Sequence, residues 1–345
     1  MKTKDEKSTS ITIEEPGLDY SELKAYSGYY RDNDKLMKSA SGGAVSAISE
    51  AIIKQGGVVF GVSYSADFKQ AEYKCVDSLE GLEELRGSKY CETVKQIWDG
   101  DHYRSVYEVL EERLKQNVPV LFVGLGCDVG GAKAYCERNE IDTSCLYTIE
   151  ILCHGPTVAE VHKQYIEELE NKYKSKVKWF SVRYKKEGWT PPYIRAEFAN
   201  GEEYVIPFYE TDYGFAFAHF SRKSCYNCKF RGSNHVGDIT CGDYWGITES
   251  MSGWNENGVS VLIVKTTKGE ELVQAIDKDS YHIEQADTVL ALENNPMYFE
   301  CRSKDIDYER FENNLKNKGL HYAVSHFSKN PLRRIKRALL KIIHS

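Results

Sequence analysis

Short apolar runs alternate with amphipathic helical segments along most of the chain, and this alternation constrains the fold more than any other feature. The runs at 57–63 (GVVFGVS), 118–124 (VPVLFVG) and 147–152 are typical of buried strands. Helical spacing of apolar residues favours helices at 43–55, 101–117 and 157–174. Strands and helices that alternate with short connections predict an α/β fold, with α+β as the alternative, built on a mixed sheet core with flanking helices.

The middle of the chain follows a different pattern. Residues 179–185 and 193–198 alternate between apolar and polar side chains, as half-buried strands do. Asn200-Gly201 follows directly and favours a tight hairpin turn. We therefore predict an inserted β-hairpin region, followed by another apolar strand at 259–266. Ahead of it, residues 124–131 predict a glycine-rich turn that leads into a helix.

The two ends of the chain differ from the body between them. Residues 1–20 are polar and acidic and predict a disordered tail. Residues 21–328 form the body, with an N-terminal part to about 145 and a C-terminal part from about 146. Residues 329–345 predict a basic amphipathic helix, with Leu332 and Ile335 on its apolar face. This helix either docks on its own domain or lies on an anionic membrane surface.

Composition restricts the class of protein. The net charge of −7 gives no basic footprint, so we expect no nucleic-acid partner. The N-terminus lacks the apolar core of a secretory signal, and no apolar run reaches membrane-spanning length. We therefore expect a cytoplasmic protein, peripheral at the inner face of the membrane if the C-terminal helix binds lipid. Ten cysteines in a reducing compartment are then buried thiols or metal ligands rather than disulfides.

Four cysteines stand in settings that suit a metal centre. Cys225 and Cys228 form a C-x2-C pair, which points two sulfurs inward from one tight turn. Cys127 and Cys153 each follow a predicted strand, at the sheet edge where α/β proteins build their sites. The cysteines without such a setting are interpreted as structural thiols: Cys75, Cys136, Cys145 and Cys301.

The spacing leaves the metal open. Cys225, Cys228, His235 and Cys241 also have a possible zinc spacing, although it matches no common zinc finger closely. Residue patterns alone therefore allow an iron–sulfur cluster, a zinc site or no metal.

Several short motifs, in a fixed order, carry a family resemblance. They are SASGG at 39–43, GGVVFG at 56–61, RGSKY at 86–90, CHGP at 153–156, GW at 188–189, SCYNCKF at 224–230 and DITCGDYWG at 238–246. With them the chain resembles, from about Tyr26 to Phe311, the beta-subunit family of coenzyme F420 hydrogenases and dehydrogenases. More narrowly, it resembles the bacterial branch associated with polysaccharide biosynthesis.

The resemblance implies an oxidoreductase that passes electrons between FAD and a [4Fe-4S] cluster. It implies that the cluster ligands are Cys127, Cys153, Cys225 and Cys228. It also implies that the flavin lies against two loops, formed by Ser41, Gly42 and Gly43 and by Gly87, Ser88, Lys89 and Tyr90. Glycines let backbone N–H groups approach a phosphate closely, and Lys89 suits a pyrophosphate or an anionic flavin. The implied partner is an electron-donor protein or a reduced cofactor.

Some residues depart from the family pattern. The loop around the first ligand reads Gly126-Cys127-Asp128 instead of Pro-Cys-Gln, and His235 and Gly237 replace an arginine and a serine. A changed charge beside a cluster shifts its potential, so these positions bear on redox function. The family's N-terminal ferredoxin-like segment is not expected here, because no cysteine precedes Cys75.

Further candidate residues lie beside these motifs. His154 follows a predicted ligand and is a candidate proton donor, with a backbone-bonded histidine as the alternative. Arg183, Lys185 and Trp189 form a basic and aromatic stretch that suits an anionic substrate or a planar ring, unless it is a solvated strand. Two rival functions remain: a zinc-stabilised, non-catalytic scaffold protein of a polysaccharide-assembly complex, and a family member that keeps the cluster without the flavin.

Overall fold

The computed structural model describes Tyr20 and residues 23–328. The predicted basic helix at 329–345 and most of the predicted tail at 1–20 lie outside these residues. Tyr20 itself is buried, and its ring packs edge-on against Tyr298 and Phe299. In the part that the structure describes, no helix is long and apolar enough to cross a membrane.

The strands and helices alternate along the described chain, as the sequence predicts. The strands are β1 (Lys24–Tyr30), β2 (Val58–Tyr64), β3 (Ala71–Val76), β4 (Thr93–Val94), β5 (Gln96–Trp98), β6 (Tyr103–Ser105), β7 (Val120–Leu125), β8 (Leu146–Ile151), β9 (Val177–Tyr184), β10 (Tyr193–Phe198), β11 (Glu203–Pro207), β12 (Ile239–Asp243), β13 (Ser260–Val264) and β14 (Tyr281–Ala286). The helices are α1 (Asn33–Lys38), α2 (Ala44–Lys54), α3 (Leu79–Leu85), α4 (Val106–Lys115), α5 (Gly126–Arg138), α6 (Ala159–Tyr173), α7 (Asp212–His219), α8 (Thr267–Gln274), α9 (Thr288–Glu293), α10 (Tyr308–Lys318) and α11 (Leu320–Ser325).

A nine-stranded mixed sheet forms the centre of the described structure. Its order is β14-β1-β13-β12-β8-β7-β2-β3-β4, and the central strands β12, β8, β7 and β2 run parallel. The outer strands β3, β13, β1 and β14 each run antiparallel to an inner neighbour. Strands buried on both faces read as continuous apolar runs, which explains why the sequence pattern is strongest here. The predicted α/β fold with a mixed sheet and flanking helices is confirmed.

The predicted hairpin region is a separate three-stranded sheet, β11-β10-β9. Gly201 takes the positive φ of 85° that its tight turn requires. A core cluster joins this sheet to α6 and α7 and includes Ile166, Phe180 and Phe215. Burying a side chain of this size stabilises a fold by about 1.5–3 kcal/mol, so this cluster fixes the small sheet against the helices.

Two sequence predictions need correction. The glycine-rich segment 124–131 does not form a turn, because α5 begins at Gly126 and includes Gly130 and Gly131. A Cβ at Gly126 or Gly130 would press against Phe230, so these glycines provide close packing rather than turn geometry. In the predicted helix at 101–117, the helix starts only at Val106, after β6, where the Ser105 side chain accepts a hydrogen bond from Tyr107 N.

Candidate functional site

The parallel strands bring two of the predicted cysteines to one edge of the sheet. In the register, Leu125 of β7 lies beside Ile151 of β8, and Ile151 lies beside Cys241 of β12. Cys127 and Cys153 each follow two residues later, at the carboxyl ends of neighbouring strands. Neighbouring strands are about 4.8 Å apart, so chain direction alone places these two residues close together.

The C-x2-C pair reaches the same edge from another segment. Cys225 is buried in a 3-10 helix at Lys223–Asn227, and Cys228 follows it. Beyond this pair, the Phe230 side chain lies against Gly126 through its Cβ and against Gly130 through its ring, where added Cβ atoms would collide with it. Phe230 therefore anchors the segment to the first turns of α5, next to Cys127.

The electrostatics of the thiols support this grouping. Burial is the main cause that raises the pKa of the Cys153 thiol to about 12, and negative charge on Cys225 and Cys127 acts in the same direction. Arg231 and a hydrogen bond from Gly155 N to Cys153 Sγ (3.2 Å) act in the opposite direction. These three predicted ligands therefore share one electrostatic environment, in which a buried thiolate at Cys153 is unfavourable until a cation or a metal compensates its charge.

Arginines surround the cysteines. Nη2 of Arg222 donates to Cys127 Sγ at 3.4 Å, and the Arg222 carbonyl oxygen accepts a hydrogen bond from Cys225 N at 2.9 Å. Arg231 is 7% exposed and has no carboxylate partner among the described residues. Within the part of the chain that the structure describes, the Nε atoms of both arginines are buried without a hydrogen-bond acceptor. Buried donors and weakly compensated cations of this kind suit an anionic group, such as a cluster bound by thiolates.

The described residues contain no group of three or more His, Cys, Asp or Glu side chains that converges on one metal ion. A [4Fe-4S] cluster binds one thiolate at each of its four iron corners, so its ligands do not converge on a point. The positions of Cys127, Cys153, Cys225 and the arginines around them are therefore compatible with cluster ligands, which do not require a preformed single-ion site.

The zinc alternative meets a geometric obstacle at His235. Its Nδ1 lies 2.6 Å from Glu150 Oε1, and its Nε2 lies 2.9 Å from the Tyr298 carbonyl oxygen. Both ring nitrogens are thus engaged, and the side chain is buried. Cys241 lies within β12, in the buried apolar cluster that includes Leu121 and Ile149. His235 and Cys241 therefore serve the fold in this structure.

The first predicted flavin loop is packed tightly into the sheet. Ser41 Oγ donates to the Val259 carbonyl oxygen at 2.8 Å, and the side chain is buried. A Cβ at Gly42 would collide with the Gly28 backbone and lie 2.6 Å from Ser260 N. Gly43 is the N-cap residue directly before α2, and its φ of 87° lies in the left-handed region that favours glycine. Much of this motif is therefore explained by packing and by the start of a helix.

The second predicted flavin loop follows α3. Lys89 Nζ donates to carbonyl oxygens at the end of that helix, including Arg86 at 2.7 Å and Leu85 at 3.0 Å. Burial lowers the pKa of Lys89 to about 7, although these carbonyls favour its charged form. Gly87 has φ 78°, and a Cβ there would meet no atom within 4 Å. Ser88 lies between these two residues and is half-buried.

Arg183 connects the two predicted flavin loops. Its guanidinium donates to the Ala40 carbonyl at 2.7 Å, to the Tyr90 hydroxyl at 3.1 Å and to Asp243 Oδ2 at 3.0 Å. Lys185 Nζ lies next to it and donates to the Ser41 carbonyl at 2.8 Å, and burial lowers its pKa to about 7. The basic stretch identified in the sequence is therefore largely buried and not a solvated strand. It supplies positive charge beneath both loops.

His154 is exposed, yet surrounding protein lowers its pKa below the usual 6.5. The cations Arg302, Arg231 and Arg183 add to this depression, and Asp243 opposes it. A role for His154 as proton donor stays a prediction, and a His154→Gln variant with full turnover would contradict it.

Sequence reasoning missed several residues of this region. Arg222, Arg231 and Arg302 lie far from Cys127 and Cys153 along the chain, and no spacing signal marks them. Cys301, interpreted as a structural thiol, donates through Sγ to the Cys228 carbonyl at 3.4 Å. Only the folded chain brings these residues to the cysteines.

The departures around Cys127 have structural partners. Asp128 is buried and lies 2.6 Å from Lys95 Nζ, which compensates its charge. It also accepts from the Tyr73 hydroxyl at 3.1 Å and from Leu125 N at 3.4 Å, which ties it to the start of α5. The position at which the family usually has glutamine therefore holds a carboxylate, Asp128, which is paired with Lys95 and stabilises the N-terminus of α5.

With this geometry described, comparisons with known proteins identify the family. Models of the N-terminal and C-terminal parts of the coenzyme F420 hydrogenase/dehydrogenase beta subunit match residues 25–97 and 119–289, which together make well over half of the chain. The chain belongs to this family. As a member of the hydrogenase/dehydrogenase beta-subunit family, it is related to oxidoreductases.

A solved structure shows a similar fold. One chain of the F420-reducing [NiFe] hydrogenase complex from Methanosarcina barkeri, studied by xenon derivatization, has a TM-score of 0.53 and 15% identity. The match covers 83% of the present beta-subunit-like chain and 92% of that chain. No curated protein matches at a significant level.

Proposed function

We propose that this chain is an iron–sulfur flavoprotein oxidoreductase, with a [4Fe-4S] cluster on Cys127, Cys153, Cys225 and Cys228 and FAD beside it. The observation that supports the proposal is the proximity of Cys127, Cys153 and Cys225, from separated segments, to arginines whose charges are at most weakly compensated. When bound, a flavin exchanges two electrons and a cluster exchanges one, which is the chemical reason to combine them.

The residues have separate roles in this proposal. Cys127, Cys153, Cys225 and Cys228 hold the cluster, and Arg222 and Arg231 supply positive charge for its thiolates. The first proposed flavin loop lies at the start of α2 and consists of Ser41, Gly42 and Gly43. The second consists of Gly87, Ser88, Lys89 and Tyr90. Arg183 joins the two loops, Lys185 contacts the first of them, and both cations favour an anionic ligand such as a dinucleotide pyrophosphate.

The electron partner follows from the family. The solved relative is part of a multisubunit hydrogenase complex. We propose that the present chain likewise receives electrons from a donor protein or a reduced cofactor. Because the chain resembles the bacterial branch of the family that is associated with polysaccharide biosynthesis, we also propose a substrate from that process.

The sequence of residues 329–345 adds a membrane hypothesis. Its basic and apolar residues suit an anionic lipid surface, which would place the protein at the inner face of the membrane. Removal of residues 331–345 is then expected to lower binding to vesicles that contain anionic lipid. Unchanged binding would contradict the hypothesis.

Anaerobic purification tests the cofactors directly. We expect a brown protein with a broad absorbance near ~400 nm and about four irons and four sulfides per chain. Flavin bands and FAD released on denaturation are expected in addition. Stoichiometric zinc in a colourless protein would overturn the proposal, and a cluster without flavin would limit it to the iron–sulfur half.

Serine variants identify the ligands. Replacement of Cys127, Cys153, Cys225 or Cys228 is expected to remove most of the iron. Cys301→Ser is the matched control, because Cys301 also lies at the Cys228 backbone but is not a proposed ligand. Iron loss in Cys301→Ser, with retention in Cys127→Ser, would contradict the assignment.

A further inference from the structure

Arg222 occupies a special place among the cations near the cysteines. It follows β-bridge residue Ser221 and precedes the 3-10 helix that carries Cys225. Its guanidinium contacts Cys127 Sγ, which comes from the other side of the site, and its carbonyl oxygen accepts a hydrogen bond from Cys225 N at 2.9 Å. Arg222 thus links two cysteines that lie almost 100 residues apart in sequence.

The charge of Arg222 is only weakly compensated. Its one carboxylate neighbour, Glu92, is half-exposed and lies 3.7 Å from Nη1. The Nε–H of Arg222 is buried and has no acceptor among the described residues. An unpaired buried donor costs about 1–3 kcal/mol, so this arrangement is favourable only if an acceptor occupies the space that the arginine faces.

The other arginines near the cysteines are arranged differently. Arg302 donates to the carbonyl oxygens of His154, at 2.7 Å, and of Phe217. Arg231 donates to the Met297 carbonyl. These contacts tie the two side chains to the backbone around the site, whereas Arg222 contacts sulfur. Arg222 is therefore the arginine that acts most directly on the thiolates.

We propose that Arg222 is a positioning residue for the iron–sulfur centre, which holds Cys127 and Cys225 at one site and stabilises the centre after it gains an electron. This inference rests on the proposed function. Reduction by one electron adds one negative charge without making or breaking a bond, and the electron comes from a one-electron donor. A cationic N–H donor to a ligand sulfur favours that added charge. Arg222 thus raises the reduction potential.

Two variants separate the charge of Arg222 from its shape. Arg222→Gln keeps a hydrogen-bond donor and removes the charge, whereas Arg222→Lys keeps the charge and loses the planar fork. The matched control is Arg104→Gln, because Arg104 is an arginine of β6 that pairs with Glu112 near the surface. The full chain, reconstituted anaerobically with iron and sulfide, is titrated with dithionite, and the reduced centre is followed by electron paramagnetic resonance.

We expect Arg222→Gln to disfavour reduction by about tenfold, which is about 59 mV for a one-electron couple. Arg222→Lys is expected to recover most of this loss, and Arg104→Gln to keep the wild-type potential. An Arg222→Gln potential equal to that of the wild type would overturn the proposal. So would an Arg222→Lys potential as low as that of Arg222→Gln.

If Arg222→Gln does not retain the cluster, its potential cannot be titrated, and the iron content of the variants is compared instead. If Arg222→Gln holds little iron, a normal iron content in Arg222→Lys supports the proposal, and loss of iron from both variants overturns the role of the charge. A wild-type chain that takes up no cluster would instead contradict the proposed function itself. The two failures are therefore distinguishable.

Discussion

The carboxylate of Asp243 and the guanidinium of Arg183 form an ion pair of 3.0 Å between the central sheet and the three-stranded sheet. Asp243 ends β12, and Arg183 lies near the end of β9. Both side chains are largely buried, at 16% and 9% exposure. Since Arg183 also contacts Ala40 and Tyr90, this pair fixes both proposed flavin loops relative to the sheet.

Removal of one partner is therefore expected to be costly. Asp243→Asn leaves the Arg183 charge buried without its carboxylate and should lower the free energy of unfolding by about 3–5 kcal/mol. Urea denaturation at pH 7 measures this change. Glu112→Gln breaks the exposed pair with Arg104 and should cost at most about 1 kcal/mol. Equal costs for the two variants would contradict a structural role for the buried pair.

Glu150 predicts a specific loss of stability in acid. Burial raises its pKa, but hydrogen bonds from His235, Gly237 and Val236 more than offset this effect, so the pKa lies below its usual 4.5. A depressed folded-state pKa stabilises the protein above the unfolded value, and this contribution disappears as the pH falls through the folded value. Glu150→Gln should therefore lower stability at pH 7 and show a flatter pH dependence below about pH 4.5.

The urea midpoint between pH 7 and pH 3.5 provides the measurement for Glu150. Glu249→Gln is a suitable control, since Glu249 lies at an exposed position. A Glu150→Gln profile parallel to the wild type over the whole range would contradict the assignment.

Gly42 is expected to tolerate no side chain. A Cβ there would meet the backbone of Gly28 and Ser260, and backbone cannot move aside as a flexible side chain can. Gly42→Ala should therefore cost about 1–3 kcal/mol or more. Gly87→Ala is the comparison, because only its φ of 78° opposes the substitution, at about 1–2 kcal/mol.

The midpoint of thermal unfolding, measured for both glycine variants, tests these expected losses of stability. A larger loss of stability in Gly87→Ala than in Gly42→Ala would show that the backbone contacts around Gly42 do not exclude a side chain there.

Two threonines on neighbouring strands should respond in opposite ways. Thr148 Oγ1 donates to Asp238 Oδ2 at 2.6 Å, so Thr148→Val should cost about 1.5–3 kcal/mol. Thr240 Oγ1 is buried, has no hydrogen-bond partner among the described residues, and lines a small cavity beside Asn295. Thr240→Val should therefore be neutral or stabilising by about 1 kcal/mol. A destabilised Thr240→Val variant in urea denaturation would show that this hydroxyl is hydrogen-bonded in solution.

The fold was largely predictable from local patterns. Strands such as β7 and β8 are buried on both faces, so their apolar runs identify them without reference to the rest of the chain. The start of α5 was not predictable in this way. Glycine favours turns locally, and only the folded chain shows that Glu150 and Phe230 pack against this helix so closely that Gly126 and Gly130 leave no room for a side chain.

The candidate site was likewise predictable from local patterns only in part. The sequence by itself determined the alternating α/β architecture and the C-x2-C pair, because both depend on neighbours along the chain. Family motifs indicated Cys127 and Cys153 as further ligands, and that assignment stays a prediction. Only the tertiary structure decided that His235 bonds to Glu150 and that Arg222 joins Cys127 to Cys225. Such contacts depend on distances between remote segments, which strand register and core packing set and local residue patterns do not record.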